Sequence, residues 1–151
     1  KRQLQIWKTL RDLEFIKRLI NKISSTHQNP IFTKTYFRKV SELEIKAQSI
    51  QYTSLRILSS LKEGDSPGPE SSMMKTLVTD LEQEISELTL DVIGYYGIPF
   101  QDTGYRSNKE AIGDEDYRSI AGKYQNLRAT TIYGGSNEIQ RNIMAKAVLG
   151  L

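Results

Sequence analysis

Few side chains in this sequence could do chemistry unaided. Of 151 residues none is cysteine, and His27 is the single histidine. Cysteine nucleophiles, thiolate metal sites and disulfide scaffolds are therefore excluded, and a Ser-His-Asp triad would have to use His27. That histidine falls in the polar stretch 24–29, which reads as an interhelical turn where a histidine is ordinarily just exposed. Asp80, Glu84, Glu87 and Asp91 recur at helical steps, so four carboxylates share one helix face. Such a stripe could hold a metal of the ferritin type, but that architecture adds Glu-x-x-His pairs, which are lacking here. A face turned to solvent or toward basic helices fits it better. Gly134, Gly135 and Ser136 stand at the mouth of the last apolar-periodic segment. Paired glycines let another molecule come close to the main chain, and a serine with free helix amides favours an anion, pyrophosphate being the usual one. Glu138 can cap those amides or accept from a ribose hydroxyl. Taken by itself, the turn is also compatible with an ordinary Gly-rich connection.

The elements that must position these residues are helices. Ile6, Leu10, Leu13, Ile16, Ile20 and Ile23 step by three and four, and Leu4, Trp7, Phe15 and Leu19 widen the stripe, so the first helix packs on two sides. Trp7 and Phe15 are either anchors for a contact beyond the bundle or part of its core. Asn29-Pro30 opens a second helix, asparagine capping the free amides and proline losing no bond at the first position. Tyr36, Val40, Leu43, Ala47, Ile50, Ser54, Ile57 and Leu61 then mark a bundle seam by alternating steps of four and three. The run 64–69, reading GDSPGP, stops that helix. A third helix is expected over 70–93 with Met74, Leu77, Leu81, Ile85, Leu88 and Val92 inward, and Gly94 as its stop. Residues 94–115 read as a long ordered loop. Tyr117, Ile120, Ala121, Tyr124 and Leu127 mark a short fourth helix, and Ile139, Ile143, Met144, Ala147 and Val148 a last one. No strand pattern appears. The expected fold is all-α, an up-and-down four-helix bundle with a short extra helix.

Composition agrees with a single helical globule: 38% of residues are apolar and 26% charged. The apolar runs are far too short for a membrane span, and no signal peptide is visible, which points to the cytoplasm. The net charge of +3 hides an uneven spread. Residues 1–63 carry 13 basic and 5 acidic groups, residues 64–116 carry 3 and 12, and residues 117–151 carry 5 and 1. The basic groups are dispersed without an aromatic platform, so charge complementarity within or between subunits explains them better than nucleic acid.

Residues 128–151, reading RATTIYGGSNEIQRNIMAKAVLGL, resemble the closing segment of the acyl-CoA dehydrogenase family. Residues 64–77, GDSPGPESSMMKTL with Lys75, resemble a link and helix start common in its bacterial members. Residues 89–100, TLDVIGYYGIPF, resemble the next turn in the style of the pimeloyl-CoA dehydrogenase large subunit. The resemblance implies that residues 1–151 form the C-terminal helical domain, with the N-terminal and middle domains of the parent lying outside this chain. It further implies FAD as cofactor, an acyl-CoA substrate oxidised at Cα–Cβ to a trans-2-enoyl-CoA, and an electron-transfer acceptor. It also implies a homo-oligomer (dimer or tetramer), or a mixed oligomer with a homologous subunit in which this chain is catalytically silent. By the same resemblance Gly135, Ser136 and Glu138 match the turn that touches the cofactor. Gly94 and Gly97 match a loop approaching its adenosine half from a neighbouring subunit, although Tyr95 and Tyr96 depart from the Gly-rich form, and Arg128 matches an arginine preceding the turn. Gly134 stands where the commonest branch has its catalytic glutamate, so no catalytic residue is assigned here. The base is expected upstream of Lys1, as the start inside an already periodic helix suggests, or is absent from the parent. The Arg-x-x-Phe-Gly cofactor motif is not clearly present near residues 27–32.

Overall fold

The structure, a computed structural model, describes residues 2–61, 68–101 and 110–150, with side chains from Trp7 onward. Most of the helix-stopping run 64–69, Gly104 and the side chains of Leu4 and Ile6 lie outside the described residues. Among the described residues five α-helices, α1 (Arg2–His27), α2 (Pro30–Ser60), α3 (Glu70–Ile93), α4 (Ile120–Leu127) and α5 (Asn137–Leu149), carry the fold. Short 3-10 turns at Gly94–Gly97, Glu115–Tyr117 and Arg128–Thr131 join them, and no strand occurs among the described residues.

Local chemistry sets the boundaries. Asn29 Oδ1 accepts from the amides of Ile31 and Phe32, both at 3.1 Å, and Pro30 takes the first helical position. Helix α1 runs on through His27, so the histidine ends a helix instead of lying in a turn. Gln28 follows in the left-handed region at φ 45°, its amide bonded to the Ser24 carbonyl at 2.9 Å. The expected fourth helix is divided: Tyr117 belongs to a 3-10 turn capped by Asp114, whose side chain accepts from the Asp116 amide, and α4 begins at Ile120.

Antiparallel packing follows from cross-helix pairs. Ser24 and Thr33 share a hydroxyl–hydroxyl bond of 2.6 Å at the α1–α2 corner. Tyr36 donates to the Asp91 carbonyl at 3.1 Å, and Lys46 meets Glu84 at 2.5 Å, so α2 and α3 run in opposite directions. The core lies among α1, α2 and α3. Leu13, Ile16, Leu19 and Ile20 meet Val40, Leu43, Ala47 and Ile50, and α3 adds Met74, Val78, Leu81, Ile85, Leu88 and Val92. Each fully buried aliphatic side chain contributes about 1.5–3 kcal/mol.

One apolar expectation, an inward Leu77, is corrected. Leu77 stands at the edge of the α3 stripe and is exposed. Trp7 is 64% exposed, while Phe15 packs partly against the core. On α5, Ile139, Ile143 and Val148 are all exposed, and Asn137 is its buried residue.

Candidate functional site

The four carboxylates of the α3 stripe, Asp80, Glu84, Glu87 and Asp91, are taken up by basic partners from surrounding segments. Lys39 reaches Asp91 at 3.5 Å, Lys46 reaches Glu84, Arg128 reaches Glu87 at 2.6 Å and Arg141 lies 3.9 Å from Asp80. The acidic middle of the sequence thus faces the basic segments on either side of it. No group of three or more potential metal ligands occurs among the described residues.

The turn before α5 is built on α3. Gln83 Nε2 donates to the carbonyl of Leu127 at 3.1 Å and to Thr131 Oγ1 at 3.3 Å, closing the end of α4. Thr130, 2% exposed, donates to the Leu127 carbonyl at 2.7 Å. The chain then emerges through exposed Ile132 and Tyr133 to Gly134 at φ 70° and Gly135 at φ 88°. Side chains rarely adopt such angles, which explains two glycines in succession. A Cβ at Gly134 would meet nothing within 4 Å, whereas one at Gly135 would lie 2.6 Å from Gln140 Nε2. Ser136 caps α5 through a long bond, 3.5 Å, from the Ile139 amide. The Glu138 carboxyl is held below the usual carboxylate range by its own amide, then by the Ser136 hydroxyl, with Arg141 and Lys75 adding to the effect. The site therefore presents bare main chain, a hydroxyl and an ionised carboxylate at a helix amino end.

Beneath the turn sits a buried polar key. Asn137, 3% exposed, accepts at Oδ1 from Lys75 Nζ at 2.8 Å and from Thr79 Oγ1 at 3.3 Å. Its Nδ2 donates to Asp80 Oδ1 at 2.9 Å.

Residues 13–149 match the acyl-CoA dehydrogenase C-terminal domain. The chain belongs to the acyl-CoA dehydrogenase family. It is 38% identical over 106 residues to acyl-CoA dehydrogenase IpdE1 of Mycobacterium tuberculosis, covering 66% of this chain and 24% of that protein. It is 39% identical over 87 residues to the IpdE1 of Mycolicibacterium smegmatis, covering 58% of this chain and 19% of that protein. The chain thus spans about a quarter or less of the length of these curated relatives. Its fold matches a chain of the ChsE4-ChsE5 complex from Mycobacterium tuberculosis with a TM-score of 0.66 at 21% identity, over 93% of this chain and 35% of that one.

Within this acyl-CoA dehydrogenase C-terminal domain, the residues singled out from the sequence fall into three places. Gly134, Gly135, Ser136 and Glu138 form one exposed turn. Arg128 points back into the bundle: its guanidinium bonds Glu87, Ser86 Oγ at 3.0 Å and the Gln83 carbonyl at 3.3 Å, and lies 4.4 Å from the Tyr124 ring. Gly94 and Gly97 lie at the far end of α3. Asp80 and Gly94 are fourteen positions apart along the helix, roughly 20 Å along the axis, so one chain does not bring the two glycine sets together. Gly97 also has an internal reason to be glycine, since a Cβ there would come within 2.5 Å of Leu90 Cδ2.

Asn137, Thr79 and Gln83 are not legible from sequence as site residues. A signal exists in the small polar positions Ser72, Thr76, Thr79, Ser86 and Thr89 of α3, all buried. They recur at helical spacing beside the apolar stripe and trace a second packing face.

Proposed function

We propose that this chain is the C-terminal helical domain of a flavin-dependent acyl-CoA dehydrogenase that oxidises the Cα–Cβ bond of acyl-CoA to trans-2-enoyl-CoA. In this reading the domain closes one wall of the FAD pocket and provides an oligomer interface in a cytoplasmic protein. Family membership supports the reading, and the observation that carries it to particular residues is the left-handed Gly134-Gly135 turn with open space at Gly134. Exposed main chain at a helix amino end, with open space beside Gly134, fits a dinucleotide's phosphates and hydroxyls. When bound, FAD supplies the acceptor for the substrate's β-hydride.

The residues of this chain bind and orient. Gly134 and Gly135 admit the cofactor to main-chain distance. Ser136 offers a hydroxyl, and Glu138, held ionised, accepts from a cofactor hydroxyl; its charge repels a phosphate placed directly on it. Arg128 acts indirectly, tying the connector to α3 through Glu87 and Ser86. Gly94 and Gly97, distant within one chain, serve a cofactor bound by a neighbouring subunit. Gly134 carries no proton-accepting group, so α-proton removal falls to a carboxylate outside this chain, and an electron-transfer acceptor reoxidises the flavin.

That same Gly134 favours a second reading, a catalytically silent subunit in a mixed oligomer. The structurally similar chain comes from a complex named for two components, ChsE4 and ChsE5, so its fold occurs in an assembly of that name. Purification of the intact protein separates the readings. A yellow protein that reduces an electron-accepting dye with acyl-CoA supports the enzyme. A protein that gains flavin and activity only with a homologous subunit supports the silent partner, and one that stays colourless under both conditions refutes both.

A further inference from the structure

The Asn137 side chain makes a directional contact that has one satisfactory orientation. Its oxygen faces the Lys75 ammonium at 2.8 Å and its nitrogen faces the Asp80 carboxylate at 2.9 Å. Flipping the amide would set donor against donor and acceptor against acceptor, leaving buried polar groups unpaired. Asn137 is the first residue of α5 and directly follows Ser136, so fixing its side chain fixes the main chain of the turn one peptide away. Lys75 is itself only half-buried, and no carboxylate lies within ion-pair distance of it among the described residues; it donates instead to the neutral amide oxygen. A partly desolvated cation with a neutral partner recovers little of its desolvation cost inside the chain. It stands close enough to the amino end of α5 to help hold the Glu138 carboxyl ionised.

We propose that Lys75 and Asn137 form an ammonium–amide lock that orients the 134–136 turn toward its cofactor and lends the amino end of α5 positive charge. The proposal rests on the flavin reading above. Lys75 is a positioning residue in this scheme, acting through Asn137 and through its field; Thr79 and Asp80 hold the amide from the other sides.

The test uses the intact protein, stripped of flavin and titrated with FAD, following quenching of flavin fluorescence at several salt concentrations. Melting temperature is measured in parallel. Lys75→Met should weaken FAD binding about tenfold, as expected for loss of one charge-assisted contact, and should flatten its salt dependence. Lys75→Arg should restore most of the affinity. Asn137→Ala should weaken binding similarly without altering the salt slope. Val40→Ala, a core change on α2 far from the turn, should lower the melting temperature while leaving FAD affinity in place. If Val40→Ala weakens FAD as much as Lys75→Met does, the Lys75 effect is general destabilisation and the lock is overturned. Gly135→Ala tests the underlying reading separately. If Gly135→Ala abolishes FAD binding while Lys75→Met binds like the wild type, the lock fails and the flavin reading stands. If the unaltered protein binds no FAD, both fall.

Discussion

Helix α3 is held on two sides by different physics. Toward α1 and α2 it presents Met74, Val78, Leu81, Ile85 and Leu88, each at most 6% exposed, against equally buried aliphatic residues. Toward α5 it presents Lys75, Thr79 and Asp80, and the buried residue opposite is Asn137. Apolar burial is strong and non-directional, so it stabilises many similar packings. The amide contact is worth less but has one geometry. The bundle therefore owes its stability to the first face and the placement of the Gly134–Ser136 turn to the second.

The largest effect expected from this contrast is in the first face. Ile16 is fully buried, and Ile16→Ala should cost about 2–5 kcal/mol in urea unfolding. A loss below about 1 kcal/mol would mean that the core is looser than its burial implies. Asn137→Ala comes next. Removing the amide takes away the partner of Lys75 and of Asp80, while Thr79 keeps the Lys75 and Thr76 carbonyls as acceptors, for a cost of about 1–3 kcal/mol. Hydrogen exchange should show that cost confined to α5 and the 134–136 turn, with α1 and α2 as protected as before. Equal loss of protection in α1 would break the distinction between the two faces.

This contrast also explains what is readable in the sequence. Period-3.6 apolar spacing identifies all five helices because burying such a stripe leaves the chain few alternatives. Asn29-Pro30 marks the α2 boundary because the cap is local. Leu77 misleads for the opposite reason, and α5 shows the same limit: a stripe shows that a face is apolar, not whether a neighbour covers it. Of the site, the glycine pair is visible because left-handed backbone demands a particular residue type. The Asn137 contact is hidden because it joins residues 62 and 57 positions apart, and a lone asparagine has no periodic signature. Arg128 stands out in the sequence, but its inward direction toward Glu87 comes only from three-dimensional packing.

A third effect lies between the faces, where α3 meets α1 and α4. Glu82 is 6% exposed, and burial raises its pKa above the ordinary 4.5 although Lys8 is 3.8 Å away. Asp12 of α1 raises it further, and Lys123 of α4, paired with Asp12 at 2.8 Å, opposes the rise. A carboxyl with a raised folded pKa binds its proton more tightly folded than unfolded. Its favourable contribution is complete below about pH 4.5 and is lost as pH rises through the folded value. Glu82→Gln should therefore match the wild type near about pH 4 and be the more stable protein at about pH 7. The wild type proving more stable than Glu82→Gln at neutral pH would show that the Lys8 pairing outweighs desolvation.

The smallest change is expected where an apolar residue would ordinarily suggest the largest. Val148 and Ile139 on α5 are 73% and 52% exposed, so Val148→Ser and Ile139→Ser should each move the stability of the chain by no more than about 0.5 kcal/mol. The same substitutions on a helix seated by its apolar stripe would cost several times more, because each would bury a hydroxyl where a hydrocarbon had packed. Equilibrium unfolding at fixed protein concentration decides between these outcomes. A large loss from either serine would place α5 in the first class of contact, held by burial, and Asn137 would then be an accessory to its seating. A negligible loss leaves the amide as the device that sets the last helix, and with it the glycine turn, against α3.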